Sequence, residues 1–186
     1  MNIPFNKVYL AGNEEKYLLE ALHSGKHCGN HDFCRRAIDQ MRQRHGFNEV
    51  FLVPSGTAAL EMGAVLAGIE PGDEVILPSY TFSSTVNAVI LFGAVPVFAE
   101  VDPDTLNLDP RRIEELITPK TKMIVPIDYA GVSCEIDAIM EIAGRHNLIV
   151  MQDCAQSYGS YYKGKACGTQ AHLATFSFHE TKNMNA

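Results

Sequence analysis

The chain of 186 residues carries 15 Lys and Arg against 22 Asp and Glu, a formal net charge of −7, with 46% of its residues hydrophobic. That composition is globular rather than disordered, and the acidic balance excludes a general nucleic-acid coat, which needs a basic face. No apolar run approaches the ~20 residues that span a bilayer. The opening MNIPFNKVYLAG has no long apolar core behind basic residues, so no secretory signal is expected and the cytoplasm is the expected location.

In chain order, NEEKYLLEALHSG predicts a helix capped by Asn13 and stopped near Gly25. HDFCRRAIDQMRQRHG predicts a second, with Asp32 as N-cap and Gly46 at its C-terminal end. EVFLVPS is a short apolar strand, and GTAALEMGAVLAG a small-residue helix ending at Gly68. PGDEVILPS is a turn and a strand, SSTVNAVILFG a helix ending at Gly93, and AVPVFAEVD a strand. DPRRIEELI is a helix, KMIVPIDYA a strand, EIDAIMEIAGRHN a helix, LIVMQDCA a strand and HLATFSF the last strand. Nearly continuous apolar strands alternating with short helices predict an α/β domain, a mainly parallel sheet with helices on both faces. Pro71-Gly72 and Pro103 mark turns within one domain, and no repeat or linker divides the chain.

The five cysteines, Cys28, Cys34, Cys134, Cys154 and Cys167, contain no C-x-x-C pair. An odd count is a poor disulfide framework, so reduced thiols are expected. The seven His residues supply no ligand pair for zinc, and no metal is expected.

Ligands of such a sheet bind outside the carboxyl ends of its strands. After the first predicted strand, PSGTAAL exposes backbone N–H groups and a hydroxyl at a helix start: either an anion cradle or a plain cap by Ser55 or Thr57. After the second, PSYTFSST places Tyr80 and Phe82 at the same edge, for ring stacking or for core packing. Asp153 ends the apolar LIVMQ; it serves as a cap, as a pairing partner, or as the partner of a cationic ring nitrogen. Lys182 follows TFSFHET and is either a solvated side chain or a desolvated amine able to attack a carbonyl. GSYYKGKA imitates a phosphate loop, but Ala166 stands where a hydroxyl must bind magnesium and no helix follows; it reads as a hairpin turning at Gly164. An anion cradle, a flat aromatic, a carboxylate and a lysine together suit one ligand, pyridoxal phosphate.

The stretches SGKHCGN, PSGTAALEM, PGDEVILPSYTFSSTVNAV, GAVPVFAEVDPDTLNLD, IVPIDYAG, QDCAQSYGSYYKGKACGT and FSFHETKN run in order through almost the whole chain. On these the sequence resembles the DegT/DnrJ/EryC1/StrS sugar aminotransferases, which are fold-type I pyridoxal-phosphate enzymes. SGKHCG and SFHETKN look closest to the members that act on dTDP-4-dehydro-6-deoxy sugars in lipopolysaccharide or enterobacterial common antigen biosynthesis.

The resemblance implies that Lys182 holds the cofactor covalently and shuttles the proton. It implies that Asp153 pairs with the pyridinium nitrogen and that Gln156 reaches the O3′ side of the ring. Gly56, Thr57 and Ser177 would hold the phosphate with help from the Ala58 backbone, and Phe82 would stack on the ring. His179 would act beside Lys182 in a supporting role, a structural histidine being the alternative. Glutamate would be the amino donor, a nucleotide-linked 4-dehydro-6-deoxy sugar the acceptor at its C4 ketone, and a homodimer the assembly. Residues 1–186 would comprise the N-terminal segment and most of the large cofactor-binding domain, with the family's small C-terminal domain beyond them. Two alternatives stand: a sugar dehydratase of the same family, whose members can carry His in place of the lysine, and a non-catalytic remnant with a structural or regulatory role.

Overall fold

The computed structural model describes residues 3, 4 and 6–186; residues 1, 2 and 5, part of the stretch inspected for a signal, lie outside the described residues. Five parallel strands form the main sheet: β1 (Glu74–Pro78), β2 (Val95–Ala99), β3 (Thr121–Ile124), β4 (Ile149–Asp153) and β7 (Leu173–Thr175). Their order is β2-β1-β3-β4-β7. Pro96 sits on β2, an edge strand, where its missing N–H costs no ladder bond. β5 (Tyr161–Tyr162) and β6 (Lys165–Ala166) form the small hairpin expected of GSYYKGKA, with Lys163 and Gly164 at φ 49° and 80° in its turn.

Helices cover both faces, as the alternating pattern predicts. On one side α3 (Gly56–Leu66) and α4 (Ser83–Ile90) pack Leu60, Ala64, Ala88 and Val89 against Val75, Leu77, Met123 and Met151. On the other, α5 (Ile136–His146) packs Ile136, Ile139, Ile142 and Ala143 against Ile76, Ile124 and Val150. Burying each such side chain stabilises the fold by about 1.5–3 kcal/mol. Gly63 lets α3 lie close to the sheet, because a Cβ there would run into Met151 Sδ. α1 (Glu14–His23) and α2 (Asp32–His45) precede the sheet. None of the described helices is long and apolar enough to cross a membrane.

Four local expectations are corrected. EVFLVPS forms no strand. It makes no backbone ladder, and Phe51 is 69% exposed; an apolar run becomes a strand only where a neighbour supplies partners. DPRRIEELI forms two 3₁₀ turns, Pro110–Arg112 and Glu114–Leu116. Asp109 ties down the Arg111 N–H at 2.9 Å, and Pro119 disfavours helix at Thr118, leaving too short a run for α-helix. Asn13 caps no N–H of α1; instead the Glu14 carboxylate accepts the Ala11 and Gly12 N–H groups at 2.6 and 2.8 Å. His31, not Asp32, is the N-cap of α2.

Gly168 is a packing requirement. At φ 86°, a Cβ there would lie 2.9 Å from Ala174 Cβ and 2.7 Å from Phe176 Cζ. Gly168→Ala is therefore expected to destabilise the chain by about 1–3 kcal/mol in denaturant titration. An unchanged midpoint would mean that this loop is free to move away from β7.

Candidate active site

The carboxyl ends of the strands and the start of α3 surround an open cavity of about 1120 Å³. Ser55 holds an extended backbone and its hydroxyl accepts the Ala58 N–H at 3.0 Å, a true N-cap. The earlier first-turn N–H groups, at Gly56 and Thr57, have no carbonyl one turn back and face the positive end of the helix dipole. Ser177 lies opposite: a Cβ on Gly56 would sit 3.0 Å from Ser177 Cβ and 3.3 Å from its Oγ. Glycine thus keeps open a cradle that any side chain would fill. Ala58 differs from the other three residues, because its N–H is already engaged by Ser55.

Asp153 ends β4 and is 4% exposed. Its carboxylate accepts from the Thr85 hydroxyl at 2.9 Å and from the Ala155 N–H at 3.1 Å, and Thr85 in turn meets the Thr81 hydroxyl at 2.9 Å. Among the described residues it makes no ion pair. Burial raises its pKa above the usual carboxylate value, opposed by the two hydrogen bonds and by the Lys182 charge. Beside it in register, Thr175 carries a buried hydroxyl with no partner among the described residues. A buried acid without a counter-cation and an orphaned hydroxyl both face the same cavity.

Lys182 follows β7 on an aromatic wall. Phe176 packs on Phe47 and Tyr158 at ring distances of 5.3 and 5.6 Å, and Phe178 packs on Tyr158 at 5.1 Å. This wall fixes Ser177 between the two phenylalanines. The Lys182 side chain lines the cavity and pairs with no acid among the described residues. The exposed His179 also lines the cavity, but its ring nitrogen Nδ1 meets the Thr181 hydroxyl at 3.0 Å. Gln156 lines the cavity while its Oε1 accepts the Ala130 N–H at 2.9 Å, and its NH₂ has no acceptor among the described residues. Phe82, 71% exposed, stands at the rim as the residue before α4. The structure therefore brings Gly56, Thr57, Phe82, Asp153, Gln156, Ser177, His179 and Lys182 to one cavity, while Ala58 and Tyr80 do not line it.

Thr85 and Thr81 were not singled out from the sequence, and neither was Tyr129, whose hydroxyl lies 2.9 Å from that of Tyr80, the other aromatic expected at this edge. Thr85 carries only a weak signal, a hydroxyl one turn into the helix after a strand end. Asp128 had a stronger one: it ends an apolar run just as Asp153 does.

The DegT/DnrJ/EryC1/StrS aminotransferase family model matches residues 9–186. The chain belongs to this family. GDP-perosamine synthase of Caulobacter vibrioides is 40% identical over 93% of this chain and 47% of its own length. The crystal structure of 3-amino-5-hydroxybenzoic acid synthase superposes with a TM-score of 0.92 at 34% identity, over 98% of this chain and 48% of that one. NtdA of Bacillus subtilis, solved with bound cofactor PMP, superposes with a TM-score of 0.88 at 33% identity, over 98% of this chain and 41% of its own. The chain spans less than half the length of these relatives. The DegT/DnrJ/EryC1/StrS fold, a mainly parallel sheet with helices, is the one observed here.

Proposed function

We propose that this chain forms the cofactor-holding part of a PLP-dependent nucleotide-sugar aminotransferase. In this reading glutamate is the donor and the C4 ketone of dTDP-4-dehydro-6-deoxyglucose the acceptor, the reaction of a dTDP-4-amino-4,6-dideoxygalactose transaminase. The observation that carries it is the buried, unpaired Asp153 sharing a cavity with Lys182 and with the Gly56–Ser177 cradle. The residues fit the cofactor: the cradle suits a phosphate, and Asp153 lacks only a cation. Bound pyridoxal phosphate supplies an electron sink for the negative charge that develops when a substrate carbon loses its proton.

The protein's own residues do the rest. Gly56 and Thr57 donate backbone N–H groups to the phosphate, and Ser177 adds a hydroxyl. Asp153, oriented by Thr85 and the Ala155 N–H, holds a proton on the ring nitrogen. Gln156 donates its free NH₂ to the ring oxygen, and Phe82 covers one face of the ring. Lys182 Nζ takes the proton from the substrate carbon and returns it, a role that suits a lysine with no competing acid partner. His179 supports it from the next turn. The exposed apolar side chains of Phe51, Met62, Val65 and Leu66 support a homodimer as the working assembly.

The pH dependence follows from Asp153. Holding the cationic ring nitrogen requires its ionised form. Burial raises its pKa from 3.8, so protonation starts at a higher pH than for an exposed aspartate. PLP affinity, followed by absorbance, is expected to fall as pH drops toward that range. For the unloaded chain the sign reverses: a raised folded pKa adds stability as pH falls through it. A PLP affinity that stays flat down to about pH 4 would contradict the assignment.

The substrate assignment is tested by 2-oxoglutarate release from glutamate with a panel of dTDP- and GDP-linked 4-dehydro-6-deoxy sugars. Turnover with dTDP-4-dehydro-6-deoxyglucose is expected. Turnover with the GDP-linked sugars alone would move the chain to perosamine-type chemistry, and none with either would overturn the sugar reading.

A further inference from the structure

Asp128 is fully buried and has no ion-pair partner among the described residues. An isolated buried carboxylate is among the costliest groups a fold can retain. Its oxygens accept from the Cys134 N–H at 3.0 Å, the Gln152 NH₂ at 2.9 and 3.0 Å, the Ser157 hydroxyl at 2.7 Å and the Cys154 thiol at 3.5 Å. A backbone N–H, an NH₂, a hydroxyl and a thiol thus surround its two oxygens, a set of donors that suits a carboxylate.

Those donors bracket the proposed catalytic arm. Gln152 and Cys154 flank Asp153, and Ser157 follows Gln156. Along a strand, alternate side chains point to opposite faces, so Asp128 grips the rear of β4 while Asp153 faces the cavity. The backbones are tied as well: the Asp128 N–H donates to the Asp153 carbonyl at 3.0 Å, and the Asp153 N–H to the Pro126 carbonyl at 2.9 Å. Gln152 is held in orientation because its Oε1 accepts the Gly168 N–H at 3.2 Å. Asp128 also opens the turn that anchors Gln156. In that turn Ala130 holds a left-handed φ of 52°, kept in place by Asn107, which accepts the Tyr129 N–H at 2.8 Å and donates to the Val132 carbonyl at 2.9 Å.

We propose that Asp128 is a positioning residue: a rear carboxylate that fixes the Asp153–Gln156 arm and adds negative charge behind the ring-nitrogen partner. The proposal rests on the PLP reading of the site. The titratable groups facing Asp128 are the thiols of Cys134, Cys154 and Cys167, with Asp153 across β4 and Lys182 beyond it. Burial, and then the Asp128 charge, push all three thiols up, so they stay neutral and add no charge beside it.

The test uses the PLP-loaded holoenzyme with two variants. Asp128→Asn removes the charge and turns an NH₂ against that of Gln152. PLP affinity is expected to fall about tenfold. The pH midpoint of the bound cofactor's visible absorbance is expected to move down, because lost negative charge disfavours a protonated cofactor. Ser157→Ala keeps the charge and removes one donor; affinity is expected to fall about two- to fivefold with little change of midpoint. Lower thermal stability alone, with wild-type affinity and midpoint in both variants, would reduce Asp128 to a core residue and overturn the proposal. If Asp128→Asn does not fold, wild-type PLP affinity in Ser157→Ala overturns it. A wild-type protein that binds no PLP would instead fail the functional reading, and this inference with it.

Discussion

Replacing Lys182 by alanine is expected to lower amino transfer by roughly four orders of magnitude and to remove the covalently held cofactor. Two contributions vanish together, the covalent attachment and the base that moves the substrate proton. The side chain is half-buried and pairs with no acid among the described residues, so its loss takes no ion pair from the fold. The Thr181–Lys182 segment is instead held by the Lys182 N–H to the His179 carbonyl at 2.9 Å and by the Asn183 side chain to the Tyr158 carbonyl at 2.7 Å. Stability is therefore expected to change by no more than about 0.5 kcal/mol. The variant should still take up PLP non-covalently through Gly56, Ser177 and Asp153. Lys163 and Lys165, on the β5–β6 hairpin, serve as controls, and their replacement should leave transfer intact.

Asp153→Asn is expected to cost about 10²–10³ in transfer rate while PLP still binds weakly. The amide keeps the size of the side chain; its oxygen can accept the Ala155 N–H while its NH₂ donates to the Thr85 hydroxyl, which can serve as acceptor. What it loses is the charge that keeps a proton on the ring nitrogen. The unloaded chain is expected to hold its stability or gain some, because a buried carboxylate without a cation costs free energy that the amide avoids. A variant at least as stable as the parent but nearly inactive distinguishes a functional carboxylate from a structural one. Normal transfer by Asp153→Asn would remove the ring-nitrogen role.

The sheet was legible because its strands are apolar on both faces, and a period of that kind leaves few alternatives. EVFLVPS was misread for the same reason: apolar content predicts burial against something, and only a neighbouring strand makes it β. DPRRIEELI had the right spacing for a helix but lay between an aspartate tied to its own turn and a proline. The site was legible where chemistry demands an unusual placement, such as a carboxylate closing an apolar strand at Asp153. Asp128 in IVPIDYAG likewise ends an apolar run, but its role depends on donors from Gln152, Cys154 and Ser157, which only the folded chain brings to it. Thr85 and Thr175 could not be found from sequence, since a threonine inside an apolar element is ordinary until its neighbour across the sheet is known. Ala58 shows the reverse case: its N–H was counted for the phosphate, and the serine three residues earlier had already taken it.

Everything proposed for this site depends on Lys182 carrying pyridoxal phosphate. The direct measurement is borohydride reduction of the PLP-loaded protein followed by peptide mapping by mass spectrometry. A single phosphopyridoxyl adduct is expected, on the peptide containing Lys182. An adduct on Lys163, Lys165 or another lysine in its place, or no adduct at all, would contradict it.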